Sequence, residues 1–317
     1  MAMVNRRLGL LVWAGFCAAC GARTQLARGG SDASTDASST CAAQPWLLFD
    51  YSDGTAGTFS IYAMHPDGSS FHPLDLDGAR GIWPTVSPDG TKLLYLKIVV
   101  NSVTLVLRDL ATHAEHALAT GLNLTKAAMS PNNQLIAYGN VPDLHMVSAD
   151  GTGDHVLVQG GGPVYADYPV FSLNSSTVYF NKAGSLESIR TDGTSLQVLS
   201  QSTTGEGMEL GPSLSPDGTK LVAPVDCGAF ELRVFSVTSL PGDLCMTGTK
   251  LAEITSANVG ADSAAPSWGP DSVIVYHDGR DLLLVDAAGG APTNITSQLT
   301  TSGWAGNPVW APGCAGL

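Results

Sequence analysis

Cysteine and histidine hold most of the reactive chemistry open to this sequence, and their spacing limits it. The six cysteines are Cys17, Cys20, Cys41, Cys227, Cys245 and Cys314. The seven histidines are scattered. His113 and His116 fall on an expected strand or loop, where their spacing does not put both rings on one face. His145 near Asp143 and His277 beside Asp278 read as strand or turn residues. The sequence has no Gly-x-Ser-x-Gly elbow, no phosphate-cradling P-loop, no Gly-x-Gly-x-x-Gly and no His-Glu-x-x-His. No catalytic residue, metal site or cofactor is therefore expected. What the thiols offer is lipidation or bridging.

Composition narrows the classes further. The chain has 317 residues, of which 44 % are hydrophobic and only 14 % charged, so it can bury a sizeable core. Its 36 Gly and 18 Pro argue against long helices. The formal net charge of -13 argues against a nucleic-acid partner, because phosphate binding needs a cationic face.

The first residues read as an export signal. Arg6 and Arg7 precede an apolar run over residues 8–19, too short to span a bilayer comfortably. The run ends in Ala18-Ala19-Cys20, which resembles a bacterial lipobox and marks Cys20 as the lipid attachment site. Gly21 after it is similar to outer-membrane lipoproteins of Gram-negative cells. Residues 1–19 are expected to be the signal peptide. Residues 20–44, rich in Ser, Asp, Ala and Gly, read as a flexible tether. Six cysteines beside an export signal fit an oxidising compartment.

Residues 45–317 carry an internal repeat. Ser87-Pro88-Asp89-Gly90-Thr91-Lys92-Leu93 recurs as Ser215-Pro216-Asp217-Gly218-Thr219-Lys220-Leu221. Weaker copies start at Ser130, Ser172, Gly269 and Ala311. A large apolar residue precedes each: Val86, Met129, Phe171, Leu214, Trp268 and Trp310, at steps of 43, 42, 43, 54 and 42 residues. A period in the low forties with several short strands per unit is the signature of propeller blades. In each turn Pro presets φ, Asp or Asn bonds back to the backbone, and Gly takes the left-handed position. The N-terminal unit has second, third and fourth strands, at residues 46–51, 59–64 and 70–74, but no first. The C-terminal unit has little beyond its first strand. Pairing residues 308–311 with 46–51 closes the ring and removes an exposed edge. The expectation is an all-β, six-bladed β-propeller of four-stranded blades, about 45 residues each.

The repeated Ser-Pro-Asp-Gly turns resemble those of TolB-like six-bladed β-propellers. The resemblance implies an architecture first. The function it suggests is a non-enzymatic envelope lipoprotein whose propeller is a protein- or ligand-binding scaffold. The alternative is a propeller-fold carbohydrate-active enzyme, similar to oligogalacturonate lyases, with a metal or base cluster in its channel. The expected partner is an envelope protein or a small ligand, with membrane contact only through the lipid anchor and a monomeric state.

Ring closure also bears on the cysteines. Cys41 lies just before the first strand and Cys314 just after the last, so a bridge between them is geometrically reasonable. Cys227 and Cys245 remain. They flank a strand whose ends lie ~20 Å apart, so the inserted stretch near residues 239–249 would have to fold back to join them. Segments that link the outer strand of one blade to the inner strand of the next gather at one mouth of the channel. They carry Trp83, Tyr165, Asp167, Tyr168, Glu206, Glu209, Asp262 and Trp304, the candidate binding face.

Overall fold

A computed structural model describes residues 44–55, 59–161, 165–201, 211–240, 242–253, 264–299, 303–313, 315 and 317. Contacts divide the chain into Met1–Thr40, outside the described residues, and Cys41–Leu317. The signal peptide, Cys20 and nearly all of the tether thus fall outside them, as do Cys41 and Cys314.

The second unit is a ring of six antiparallel blades. Blade 1 runs outward from the channel as Trp304–Ala311, Trp46–Ser52, Ser60–Met64 and His72–Pro73. Blade 2 is Arg80–Val86, Lys92–Val99, Ser102–Asp109 and Glu115–Gly121, and blade 3 is Leu124–Met129, Leu135–Asn140, Asp143–Ser148 and His155–Val158. Blade 4 comprises Ala166–Phe171, Thr177–Lys182, Ser185–Arg190 and Gln197–Gln201. Ser213–Leu214, Lys220–Asp226, Phe230–Ser236 and Thr249–Glu253 form blade 5. Ala264–Trp268, Val273–His277, Leu282–Asp286 and Thr293–Asn294 form blade 6. The C-terminal strand pairs beside the first strand as expected and closes blade 1, with Leu47 opposite Trp310 and Trp46 opposite Ala311. The first and last strands of the domain therefore share one sheet, and the ring has no free end.

The repeated turns work as their residues dictate. Ser87 Oγ donates to Asp89 Oδ1 at 2.6 Å and accepts the Lys92 N–H at 2.9 Å, while Gly90 sits at φ 71. Ser215 and Asp217 repeat these bonds in blade 5. The degenerate copies keep the chemistry with substitutes. Asn132 and Asn174 replace the Asp, and Asn133 (φ 57) and Ser175 (φ 59) take the left-handed position. Neighbouring turns are also joined, since Asn133 Nδ2 donates to Asp89 Oδ2 at 2.7 Å and the Asn132 N–H to Ser175 Oγ at 3.2 Å.

Blade faces bury their apolar runs against each other, so every gap between blades has its own core. Leu48, Ile61, Leu93 and Tyr95 fill the space between blades 1 and 2, and Phe171, Val178, Phe180 and Ile189 lie in the cluster between blades 3 and 4. One gap also holds a charge. Arg108 is 1 % exposed, and its guanidinium reaches Asp77 at 2.7 Å, Glu115 at 2.9 Å and the Asp75 carbonyl at 3.2 Å. It ties the segment that leaves blade 1 to the outer strands of blade 2.

The long step between blades 5 and 6 is a compact excursion. After Phe230–Ser236 the chain makes a short turn of helix at Val237–Ser239. It then adds Gly242–Asp243 in parallel to the edge of blade 4 and forms a helical turn at Leu244–Thr247. Val237, Leu240, Leu244 and Cys245 pack into the blade 4–5 core. The stretch does fold back, and Cys227 and Cys245 form a disulfide with their Cα atoms 5.6 Å apart. Loop closure over a sequence separation of 18 is worth roughly 3 kcal/mol in the chain-entropy picture.

Candidate functional site

The innermost strands hold a second repeat. In blades 1 to 6 the position two before the large apolar residue is Pro308, Pro84, Ala127, Pro169, Pro212 and Pro266, so only blade 3 lacks proline. Register slips beside this position in five blades, a β-bulge each time, and in blade 5 the inner strand Ser213–Leu214 begins after it. The channel-facing edge needs no N–H for a neighbouring strand, so proline is tolerated there.

The bulges also set the backbone of the residue before the proline. Trp83 (φ 56), Tyr168 (φ 52) and Asn307 (φ 49) each precede a proline in left-handed backbone, a costly conformation for such side chains. Asp50 holds two of these bulges. Its Oδ1 accepts the Trp83 N–H and its Oδ2 accepts Asn307 Nδ2, both at 2.9 Å. Burial pushes the Asp50 carboxyl up to about 7, against the opposing pull of Asn307 and the Trp83 amide.

Of the expected binding face, Trp83 and Tyr168 come together, with ring centroids 6.2 Å apart, although they belong to blades 2 and 4. Tyr168 packs on Gly211 so closely that a Cβ there would stand 2.2 Å from the Tyr168 Cβ. Tyr165 is 49 % exposed. Trp304 sits edge-on to Phe59 and His277, with ring centroids at 5.2 and 5.8 Å. Asp167 is buried instead of presented to solvent. Its Oδ1 has no hydrogen-bond partner among the described residues, and burial lifts the carboxyl to about 7. Glu206, Glu209 and Asp262 lie outside the described residues.

Two connected spaces mark the ring axis. The inner one is a channel of ≈ 110 Å³ walled mainly by Ala127, Pro169, Val170, Pro212, Pro266 and Val309. Lys126 and Tyr168 line it, and burial lowers the Lys126 ammonium to about 8. The outer one is a funnel of ≈ 690 Å³ on the side of the Ser-Pro-Asp-Gly turns, with Met129, Phe171, Leu173, Leu214, Trp268 and Trp310 among its walls. Thr85, Ala128 and Val170 line both. Among the described residues no group of three His, Cys, Asp or Glu side chains could hold a metal ion. The sequence reading missed Lys126, the proline ring and the funnel. The recurring proline two residues before each large apolar residue was the available signal for the ring.

Blade count, ring closure and turns define a six-bladed β-propeller. No protein-family model matches the chain. A TolB homologue of Chlorobaculum tepidum is 29 % identical over 110 residues, 33 % of this chain and 25 % of that protein. The chain thus matches about a quarter of the length of that curated relative. Among solved structures, TolB from Acinetobacter baumannii superposes with TM-score 0.66 at 14 % identity, over 84 % of this chain and 67 % of that one. A chain of a nidogen/laminin complex superposes at 0.63 with 13 % identity, over 84 % and 98 % of the two chains. A TolB-assigned protein from Agrobacterium tumefaciens gives 0.52 at 16 % identity, over 85 % and 99 %. The fold is that of a TolB-like six-bladed β-propeller.

Proposed function

We propose that the chain is a non-enzymatic binding scaffold of the bacterial cell envelope. In this reading, the mouth carrying Trp83, Tyr165, Tyr168 and Trp304, with Asp167, Glu206, Glu209 and Asp262 in the same segments, engages an envelope protein or a small ligand. The observation that carries the reading is the Trp83–Tyr168 pair. Two large aromatics are kept in left-handed backbone before proline and brought together from blades 2 and 4. Strain of that kind persists where the surroundings enforce it, and such positions cluster at ligand clamps. Rigid aromatics are also the side chains that dominate binding hot spots. The likeness to TolB structures supports an envelope role. The lyase-like alternative finds less support, since among the described residues no His, Asp or Glu lines the inner channel. A net charge of -13 favours a basic partner and a salt-sensitive association rate.

The test is a pull-down from detergent-solubilised envelopes. Trp83→Ala and Tyr168→Ala are expected to weaken capture at least tenfold, a loss of about 1.4 kcal/mol or more. Tyr165→Ala is the exposed variant least able to disturb folding. Melting temperatures must match wild type for the comparison to count. Full retention by all three variants, with loss on changing the turn face, would sink the reading.

Anchoring follows from Cys20, proposed as the lipidated N-terminus of an outer-membrane lipoprotein facing the periplasm or the cell surface. One acyl chain binds membranes only marginally, so a stable anchor needs more than one. Cys20→Ala should move the protein from the membrane to the soluble fraction. An unmodified N-terminus beyond residue 20 in mass spectrometry contradicts it.

A further inference from the structure

We infer that the channel is a binding site for a carboxylate on a short apolar chain, with the carboxylate at Lys126 and the chain running out into the funnel. The channel shares Tyr168 with the partner-binding mouth, but the inference rests on the donor set of the wall. Lys126 is a half-buried cation lining a half-open channel, and no hydrogen-bond or ion-pair partner contacts its ammonium among the described residues. Asp50 reaches it only through space and spends both oxygens on Trp83 and Asn307. A half-buried ammonium with no contacting counter-charge leaves its positive charge uncompensated, and a carboxylate in the channel would supply charge-assisted hydrogen bonds to it.

Two hydroxyls complete the set. Ser213 Oγ accepts the Trp268 N–H at 2.9 Å and Ser267 Oγ accepts the Trp310 N–H at 3.3 Å. Both line the channel, and each keeps its own hydroxyl proton to donate. Thr85 differs, because its hydroxyl already donates to the Ala127 carbonyl at 2.8 Å. The wall therefore offers an ammonium and two hydroxyl donors, and among the described residues no carboxylate lines it.

Size and polarity select the ligand. A channel of ≈ 110 Å³ with one cation suits a monoanionic head rather than a large polyanion. The space beyond it changes character, for Met129, Phe171, Leu214, Trp268 and Trp310 make the funnel wall apolar. A polar head in the channel and an apolar body in the funnel is the polarity a monocarboxylate with an aliphatic tail presents.

The experiment is calorimetric titration of the full chain with sodium octanoate, sodium acetate and 1-octanol, alongside NMR of protein labelled at the lysine side-chain nitrogen. Octanoate is expected to bind at least tenfold tighter than either acetate or octanol and to shift the Lys126 Nζ resonance. Lys126→Met should weaken octanoate at least tenfold and leave octanol unchanged. The Ser213→Ala, Ser267→Ala double variant should weaken octanoate three- to tenfold and still shift Lys126. Equal binding of octanol, equal binding of acetate, octanoate affinity unchanged in Lys126→Met, or no octanoate binding at millimolar concentration would each overturn the assignment. The Nζ shift is read on wild-type protein, so it does not depend on how any variant folds.

Discussion

Replacing Arg108 with Met is expected to destabilise the propeller by on the order of 3 kcal/mol, a fall in melting temperature of roughly 6–10 °C for a domain of this size. The guanidinium is the common partner of Asp77, Glu115 and the Asp75 carbonyl. Its loss leaves Glu115 with Lys97 and the Tyr95 hydroxyl, and leaves the Asp75 carbonyl short of a donor. Removing one member of a buried ion pair is costly because the others stay desolvated. Asp77 is exposed enough to turn to water, which limits the cost. Arg190 paired with Asp192 is the control, both side chains being 54 % exposed, and Arg190→Met should change stability by less than about 1 kcal/mol. Thermal unfolding of the two variants decides the matter. An Arg108→Met protein that melts within a degree of wild type would show that the network contributes nothing net.

The second large effect is a dependence on pH. Between about pH 5 and 7.5 the protein is expected to lose stability as pH rises. Asp50 and Asp167 each stand near 7 in the folded chain, both through burial, against an ordinary carboxyl near 3.9. In that window the folded state holds protons that the unfolded state has released. By linkage, the stability present below the unfolded value drains away as pH passes through the folded one. Three pH units at about 1.4 kcal/mol each set an upper bound of about 4 kcal/mol per carboxyl. The surface carboxyls with lowered values, such as Asp217 near 2, act at the acid end and leave this window alone. Lys126 acts on the other side. Its ammonium is lowered to about 8, so stability is regained as pH climbs from there toward its ordinary value. Melting curves across pH 5 to 7.5 should therefore slope downward in wild type and flatten in the Asp50→Asn, Asp167→Asn double variant. A flat or rising wild-type profile, or an unchanged slope in the double variant, removes the carboxyls as its cause.

These two expectations show how differently the fold and the site were written into the chain. The blades were legible because their signals are local. Ser87-Pro88-Asp89-Gly90 makes its turn with bonds no more than five residues apart, so any copy with the same side chains folds the same way. Degenerate copies remained readable because Asn133 and Ser175 can occupy the left-handed position that glycine fills elsewhere. The repeat period and the complementary deficits at the two ends were enough to place Trp304–Ala311 beside Trp46–Ser52.

What only the tertiary structure decided lies at the axis, where residues from different blades meet. Asp50, Trp83 and Asn307 are remote in sequence and converge through bulges whose direction no local pattern encodes. Asp167, which its position among channel-mouth segments placed on the candidate binding face, is buried beside a bulge of its strand. The Cys227–Cys245 bridge needed the excursion to fold back over the blade 4–5 core, a packing choice that cysteine spacing alone left open. Strand and turn depend on bonds within a few residues, and the sequence determined them. Burial, pairing of charges and the lining of the channel depend on which blades become neighbours, so they arose only when the ring closed.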